Sequence, residues 1–244
     1  MTPAQSTWSA MLLALVCIGS QAEDIQVVTE DTAYSYLENG RVAGPASAVV
    51  EATLQRAGLS DYRLALYPWA RAYDMALQQP NVLIYLIART TAREPRFKWV
   101  SEITRIDYHF YKLRAREDIQ VHSLQDAQQY SVGVLRDDVR QKYLRTQGFS
   151  KLVVSAHNRD NFNKLLNQQV QLVPMPERDV AMFCVDAHID CASLEQVYTL
   201  DALSTGLYMA YSLATADELV TRTRAAFDSL KAEGRVTPLM RGKP

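Results

Sequence analysis

The run Val82-Leu83-Ile84-Tyr85-Leu86-Ile87-Ala88, followed at once by Arg89-Thr90-Thr91-Ala92-Arg93-Glu94-Pro95-Arg96-Phe97-Lys98-Trp99-Val100, decides how the chain is read. An apolar run bounded by Pro80-Asn81 on one side and an Arg-rich segment on the other reads as an interior strand that delivers a loop. The carboxyl end of such a strand is where open α/β sheets bind ligands, and guanidinium forks with hydroxyls there suit a carboxylate or another small anion. Arg-rich loops are commonly just solvated surface. Here Phe97 and Trp99 alternate with Arg96 and Lys98, which tucks one face of the segment under the protein and holds the arginines in place.

Upstream, Ile25-Gln26-Val27-Val28-Thr29 alternates like a half-buried first strand, residues 30–36 form a loop, and Glu38-Asn39-Gly40-Arg41 is a turn signal. Pro45 opens a helix reaching to about Gly58. A strand over 62–67 and a helix from Pro68 to Gln79, carrying Trp69, Arg71 and Tyr73, complete a βαβ unit. That topology puts Trp69 near the 89–93 loop, although a tryptophan there can equally be a core residue.

Downstream, residues 106–115 are strand-like, with Tyr108 and Phe110 on one face. A short helix near 124–129, a strand over 131–135, a helix over 138–147 stopped by Gly148, and a strand over 152–155 follow. A helix over 160–167, a strand over 170–173 and a helix opened by Pro176 make this a second doubly wound unit, in which Asp137 or Asp138 reads as a helix N-cap. Strands over 195–200 and 206–214 return, and Thr215-Ala216-Asp217-Glu218 reads as a capping box for a last helix ending at Gly234. No Pro-, Gly- or Ser-rich linker separates the halves, so the backbone should cross as paired strands near 111–115 and 200–204. Lobe 1 is then 23–112 with 204–244, and lobe 2 is 113–203.

The 244 residues are 48% hydrophobic, enough for two cores, and the net charge of −1 gives no footprint for nucleic acid or an anionic membrane. Residues 1–22 carry no charged side chain. Met11 to Gly19 is too short to span a bilayer, and Ser20-Gln21-Ala22 supplies small residues for cleavage before Glu23, which reads as an export signal and a periplasmic destination. Cys17 follows Val16, not the small residue a lipoprotein signal wants, and is read as removed. The two remaining cysteines, Cys184 and Cys191, favour a disulfide in an exported chain, contributing about 2–3 kcal/mol, against the alternative of two reduced, buried thiols. His109, His122, His157 and His188 are scattered without metal-ligand spacing, and neither a phosphate-cradling Gly loop nor a Gly-x-Ser-x-Gly elbow occurs. The expectation is a monomer without metal or cofactor.

In their order and spacing, Thr29-Glu30, Tyr36-Leu37-Glu38-Asn39-Gly40, Pro68-Trp69-Ala70-Arg71-Ala72-Tyr73, Arg89-Thr90-Thr91-Ala92-Arg93-Glu94, Val132-Gly133-Val134-Leu135 and Ala216-Asp217-Glu218-Leu219 resemble the polar amino-acid type of extracellular solute-binding protein. The resemblance spans nearly all of the chain after the leader, and within it the Pro-Trp-Ala-Arg signature is similar to that of a subfamily often lacking an obvious transporter. It implies the α/β type II periplasmic binding fold, two lobes that close over a small carboxylate-bearing solute such as an amino acid, and a partner that is an ABC permease or a membrane sensor. It also implies that Arg93, in its Thr-x-x-Arg setting, clamps the ligand carboxylate with help from Thr90, and that Tyr34 or Tyr36 and Trp69 surround the ligand body. The helix N-terminus near Asp138 and the acid Glu177 would face them from lobe 2, with Arg71 and Arg89 as secondary candidates. The family's usual ammonium-binding acid falls where this chain has Val173-Pro174-Met175-Pro176, which leaves Glu177, and Leu86 and Ala88 replace the usual serines. The same fold resembles that of cyclohexadienyl dehydratases, so an elimination enzyme using Glu177 is the alternative, and a sensory module regulating a membrane partner is another.

Overall fold

The computed structural model describes residues 24–242; the export-signal reading of residues 1–22, Cys17 included, lies outside the described residues. β1 (Ile25–Thr29) leads through a loop into the hairpin of β2 (Tyr36–Glu38) and β3 (Arg41–Ala43), turned by Asn39 and Gly40 at φ 52° and 75°. Positive φ at both central residues is the geometry that Asn-Gly favours. α1 (Pro45–Arg56), β4 (Tyr62–Leu66), α2 (Trp69–Gln78) and β5 (Val82–Ala88) follow. All seven residues of β5 are buried, as a strand covered on both faces requires.

The Phe97–Trp99 segment is the start of a ten-residue strand, β6 (Phe97–Ile106), whose register is bulged and whose burial does not alternate cleanly, so its length does not show in the sequence. Next, β7 (His109–Leu113) pairs into a different sheet, so the first crossing lies at residues 107–108 and not near 111–115 as expected. α3 (Leu124–Ala127), β8 (Val132–Leu135), α4 (Val139–Thr146), β9 (Leu152–Ser155), α5 (Asn158–Leu166), β10 (Val173–Met175), α6 (Glu177–Asp186) and β11 (Leu194–Thr199) form the second lobe. β10 begins later than the 170–173 expected, because Gln171 and Leu172 donate their backbone N–H groups to the Ser131 carbonyl, both at 3.0 Å. β12 (Thr205–Ser212), α7 (Asp217–Ala232) and α8 (Val236–Arg241) return to the first lobe.

Lobe 1 is a five-stranded sheet in the order β4-β1-β5-β12-β6, its first three strands parallel and its last two antiparallel to their neighbours. Lobe 2 repeats that plan. β8 and β9 are parallel, β7 runs antiparallel between β10 and β11, and a parallel bridge between Val132 and Leu172 joins the two sets. The crossings touch, since the Leu200 N–H donates to the Tyr108 carbonyl at 2.8 Å. A disulfide joins Cys184 of α6 to Cys191, with their Cα atoms 5.5 Å apart. The expected capping box at α7 does not form: Ala216 is the N-cap, and the Thr215 hydroxyl instead bonds Ser212 at 2.9 Å and accepts from the Asn81 N–H at 3.2 Å.

Candidate functional site

The lobes meet over a small closed cavity at the carboxyl ends of β1 and β5, facing the N-terminal ends of α4 and α6. Its volume is about 30 Å³, room for about two waters. On the lobe 1 side, Arg93 is 3% exposed. The turn that presents it is built by the Thr90 carbonyl, which accepts from the Arg93 and Glu94 N–H groups at 2.9 and 2.8 Å. The guanidinium lies over the rings of Trp69 and Tyr73, at 5.1 and 4.9 Å, and its Nη1 donates to the Ala88 carbonyl at 3.1 Å. Its Nη2 is buried without a partner. A buried unpaired donor is rare and costly in folded proteins, more so on a charged group.

The strand beneath is bent to serve this arrangement. Leu86 adopts φ 59°, and it is the extra residue where β5 bulges against Tyr208 and Met209. Across the cavity Asp137 adopts φ 59° as well, and its carbonyl accepts from Trp69 Nε1 at 3.4 Å. Left-handed φ is unfavourable for a residue like leucine, and such strain gathers at ligand-handling positions. Gly44, between β3 and α1, packs so close to the loop after β1 that a Cβ would sit 2.6 Å from the Tyr34 carbonyl, which fixes the loop carrying Glu30 and Tyr34.

Lobe 2 presents charges that are already paired. Asp138 caps α4, accepting from the Arg140 N–H at 3.0 Å, and its carboxylate pairs with Arg140 Nε. Arg140 is 3% exposed, lies over the Tyr108 ring at 4.9 Å, and donates from Nη1 to the Pro174 carbonyl at 3.0 Å. Burial disfavours the charge on both partners, but each outweighs that for the other: Asp138 is held below the usual carboxylate range and Arg140 is raised. Two further acids are less well compensated. Burial pushes the Glu30 carboxyl up to about 8, with Arg140 only partly offsetting it, and burial pushes Asp179 up to about 6 despite the Ala33 N–H it accepts at 2.9 Å.

Several contacts hold the lobes shut. Asn158 Nδ2 donates to Glu30 at 3.2 Å, Asp31 and Arg159 pair at 3.6 Å, and Arg178 and Lys142 lie over the rings of Tyr34 and Tyr73 at 4.9 and 5.3 Å.

Of the residues singled out from the sequence, Arg93, Trp69, Tyr34 and Asp138 meet at this cavity, while Thr90 supports it through its carbonyl. Tyr36 lies elsewhere, on an open groove of about 790 Å³ that also runs past Leu37, Tyr67, Met182 and Val185. That groove is larger, but among the described residues the unpartnered buried side-chain atoms are Arg93 Nη2 and Asn161 Oδ1, and neither residue lines it. Arg71 is exposed over the Tyr67 ring, and Arg89 is exposed and held by Glu94 at 2.7 and 2.5 Å, because a nearer carboxylate claims its fork. Glu177 is exposed and outside the cavity; one helical turn geometry puts Asp179 there in its place. Sequence reasoning did not single out Glu30, Tyr108, Arg140 or Asp179. The Asp138-x-Arg140 spacing and the acids in the first turn of α6 are the signals that could have found two of them.

No protein-family model matches the chain, and no curated protein matches it. Solved structures do. A histidine kinase sensor domain with similarity to periplasmic binding proteins is 16% identical over 88% of this chain and 93% of its own, with a TM-score of 0.78. The substrate-binding protein of an amino acid ABC transporter from Streptococcus pneumoniae, bound to L-arginine, is 16% identical over 91% and 94%, with a TM-score of 0.77. An ancestral arginine-binding protein bound to arginine is 15% identical over 90% and 97%, with a TM-score of 0.76. The fold of this chain is the two-lobed α/β fold of type II periplasmic binding proteins.

Proposed function

We propose that the chain is an exported solute-binding protein, not an enzyme, that parts its lobes about the crossings at Tyr108 and Leu200 and closes them over a small carboxylate-bearing ligand. The observation that carries this reading is the buried Arg93 Nη2 with no partner, beside a cavity closed by residues from both lobes. A planar fork with one arm anchored on Ala88 and the other free is prepared for a carboxylate oxygen. The similar folds named for binding amino acids and for sensing support a role in uptake or sensing with a membrane partner. The Cys184–Cys191 bridge supports an oxidising compartment such as the periplasm.

A thermal-shift screen of amino acids, dicarboxylates and aromatic acids on the wild type and Arg93→Ala tests the reading. A ligand that binds only the folded state raises the melting temperature by mass action. At least one acid should do so for the wild type, and the shift should vanish in Arg93→Ala. An acid whose shift survives the substitution unchanged contradicts the assignment of Arg93.

A further inference from the structure

The outer groove past Tyr36 has no part in the cavity, yet it gathers exposed apolar side chains from both lobes. Among the described residues the large apolar side chains left exposed are Leu37, Val185 and Leu213, at 63%, 72% and 53%. Two of these three line this one groove, Leu37 from the β2 hairpin of lobe 1 and Val185 from α6 of lobe 2, together with Tyr36 and Tyr67. Single exposed apolar residues are ordinary, but a cluster of them in one concavity marks an interaction site.

The charge of the groove is not balanced. Its two lining acids, Asp31 and Asp186, are both taken by Arg159, at 3.6 and 2.7 Å. Arg178, also on the lining, lies over the Tyr34 ring at 4.9 Å, and Arg71 lies over the Tyr67 ring at 4.6 Å. Both arginines are exposed, and among the described residues neither forms an ion pair. Ala33, Tyr36 and Arg178 line a second open trough as well, which reaches Gly44 and Leu239, so the depression continues on the far side of Arg178. We infer that this groove docks a peptide segment of a partner protein, one that brings apolar side chains to Leu37 and Val185 and a carboxylate to Arg178. A long concavity with apolar walls and an unpaired cation suits a stretch of chain, with the apolar side chains as anchors and the carboxylate fixing register.

The groove is also tied to closure. Asp31 and Ala33 line the groove where Glu30, Thr32 and Tyr34 line the cavity, and Arg178 lines the groove beside Asp179 in the cavity, so one thin wall serves both. Because the groove is built from both lobes, parting them divides it. A docked segment therefore favours closed lobes, and closure over a ligand favours the segment, by the reciprocity of linked equilibria. This last step rests on the reading that the lobes close over a ligand.

A random dodecapeptide library displayed on phage, selected on the full chain without added acid and counter-selected on the Leu37→Asp/Val185→Asp double variant, tests this. The selected peptides should carry aromatic or branched apolar residues next to Asp or Glu. As synthetic peptides they should bind at least about tenfold more weakly to Leu37→Asp, in lobe 1, and to Val185→Asp and Arg178→Glu, in lobe 2. Substitutions at exposed positions seldom cost stability, so these variants should melt as the wild type does. A selection that enriches nothing over the double variant, selected peptides that lack acids, or undiminished binding to Arg178→Glu would overturn the proposal. So would association with phosphatidylglycerol vesicles that the same substitutions abolish, which would make the surface a membrane contact. Since no acid is added, the outcome is independent of the screen on Arg93. A failed selection leaves the carboxylate site standing, and a failed screen removes only the link between the groove and closure.

Discussion

Two arginines face one cavity from opposite lobes, and each is 3% exposed. Lobe 1 holds Arg93 on aromatic faces and a single carbonyl, leaving a donor unsatisfied, whereas lobe 2 holds Arg140 against a carboxylate, a carbonyl and a ring. The difference separates two uses of the same side chain. A buried guanidinium paired with a carboxylate is satisfied by the fold, and one with an unbonded arm keeps a donor for a partner from outside.

The largest effect should come from the paired arginine. Arg140→Ala leaves Asp138 buried without its cation and should cost about 3–5 kcal/mol in urea unfolding at neutral pH, with Asp138→Asn in the same chain restoring part of the loss. A loss below about 1 kcal/mol would erase the contrast between the lobes. Arg93→Ala should behave the other way, weakening carboxylate binding by about 2–4 kcal/mol while shifting the unfolding midpoint much less than Arg140→Ala does. Equal losses of stability from the two substitutions would make both arginines structural.

Lobe 2 is also braced covalently, in the helix that carries Asp179. Reducing Cys184–Cys191, or replacing both with serine, should cost about 2–3 kcal/mol by denaturant unfolding. Lobe 1 has no such bridge among the described residues.

The two uncompensated acids make closure and stability pH-dependent. Glu30, flanked by Asp31, Asp138, Asp179 and Arg140, is raised from 4.5 to about 8, and Asp179 from 3.8 to about 6, so the closed protein binds protons more tightly than the unfolded chain. Their contribution is complete below the ordinary carboxylate values and is lost as pH rises through 6 and then 8. Asp138 opposes them, since its lowered value costs stability only as pH falls below 3.8. Stability should therefore rise as pH is lowered from 8 to about 5, by at most about 1.4 kcal/mol per pH unit for each proton, raising the calorimetric melting temperature, and Glu30→Gln should flatten the rise. The smallest effect belongs to the half-buried inter-lobe pair: Asp31→Ala, which removes the contact with Arg159 at 3.6 Å, should change stability by less than about 1 kcal/mol.

The fold was legible where pattern and punctuation agree. The apolar run of β5, the prolines opening α1 and α2, and Asn39-Gly40 each act through local chemistry that a sequence carries on its face. β6 was not, because bulges against β12 scramble its alternation, and the α7 cap was not, because Thr215 spends its hydroxyl on Ser212 and Asn81. The same division runs through the site. Arg93 stands in a recognisable loop beside Trp69, while Arg89, a secondary candidate from the same loop, is claimed by the nearby Glu94. Arg140 and Asp179 become cavity groups only through the meeting of two lobes. In isolation Asp138-x-Arg140 is a helix cap, and Glu177 was the acid in reach of the proline turn although Asp179 is the one on the inward face.

A crystal structure of the chain with an acid taken from the binding screen tests the central claim most directly. A carboxylate oxygen should lie about 2.7–2.9 Å from Arg93 Nη2, between closed lobes, with Arg140 still paired to Asp138. A ligand seated in the outer groove beside Tyr36 and Val185, with Arg93 Nη2 still untouched, would contradict it.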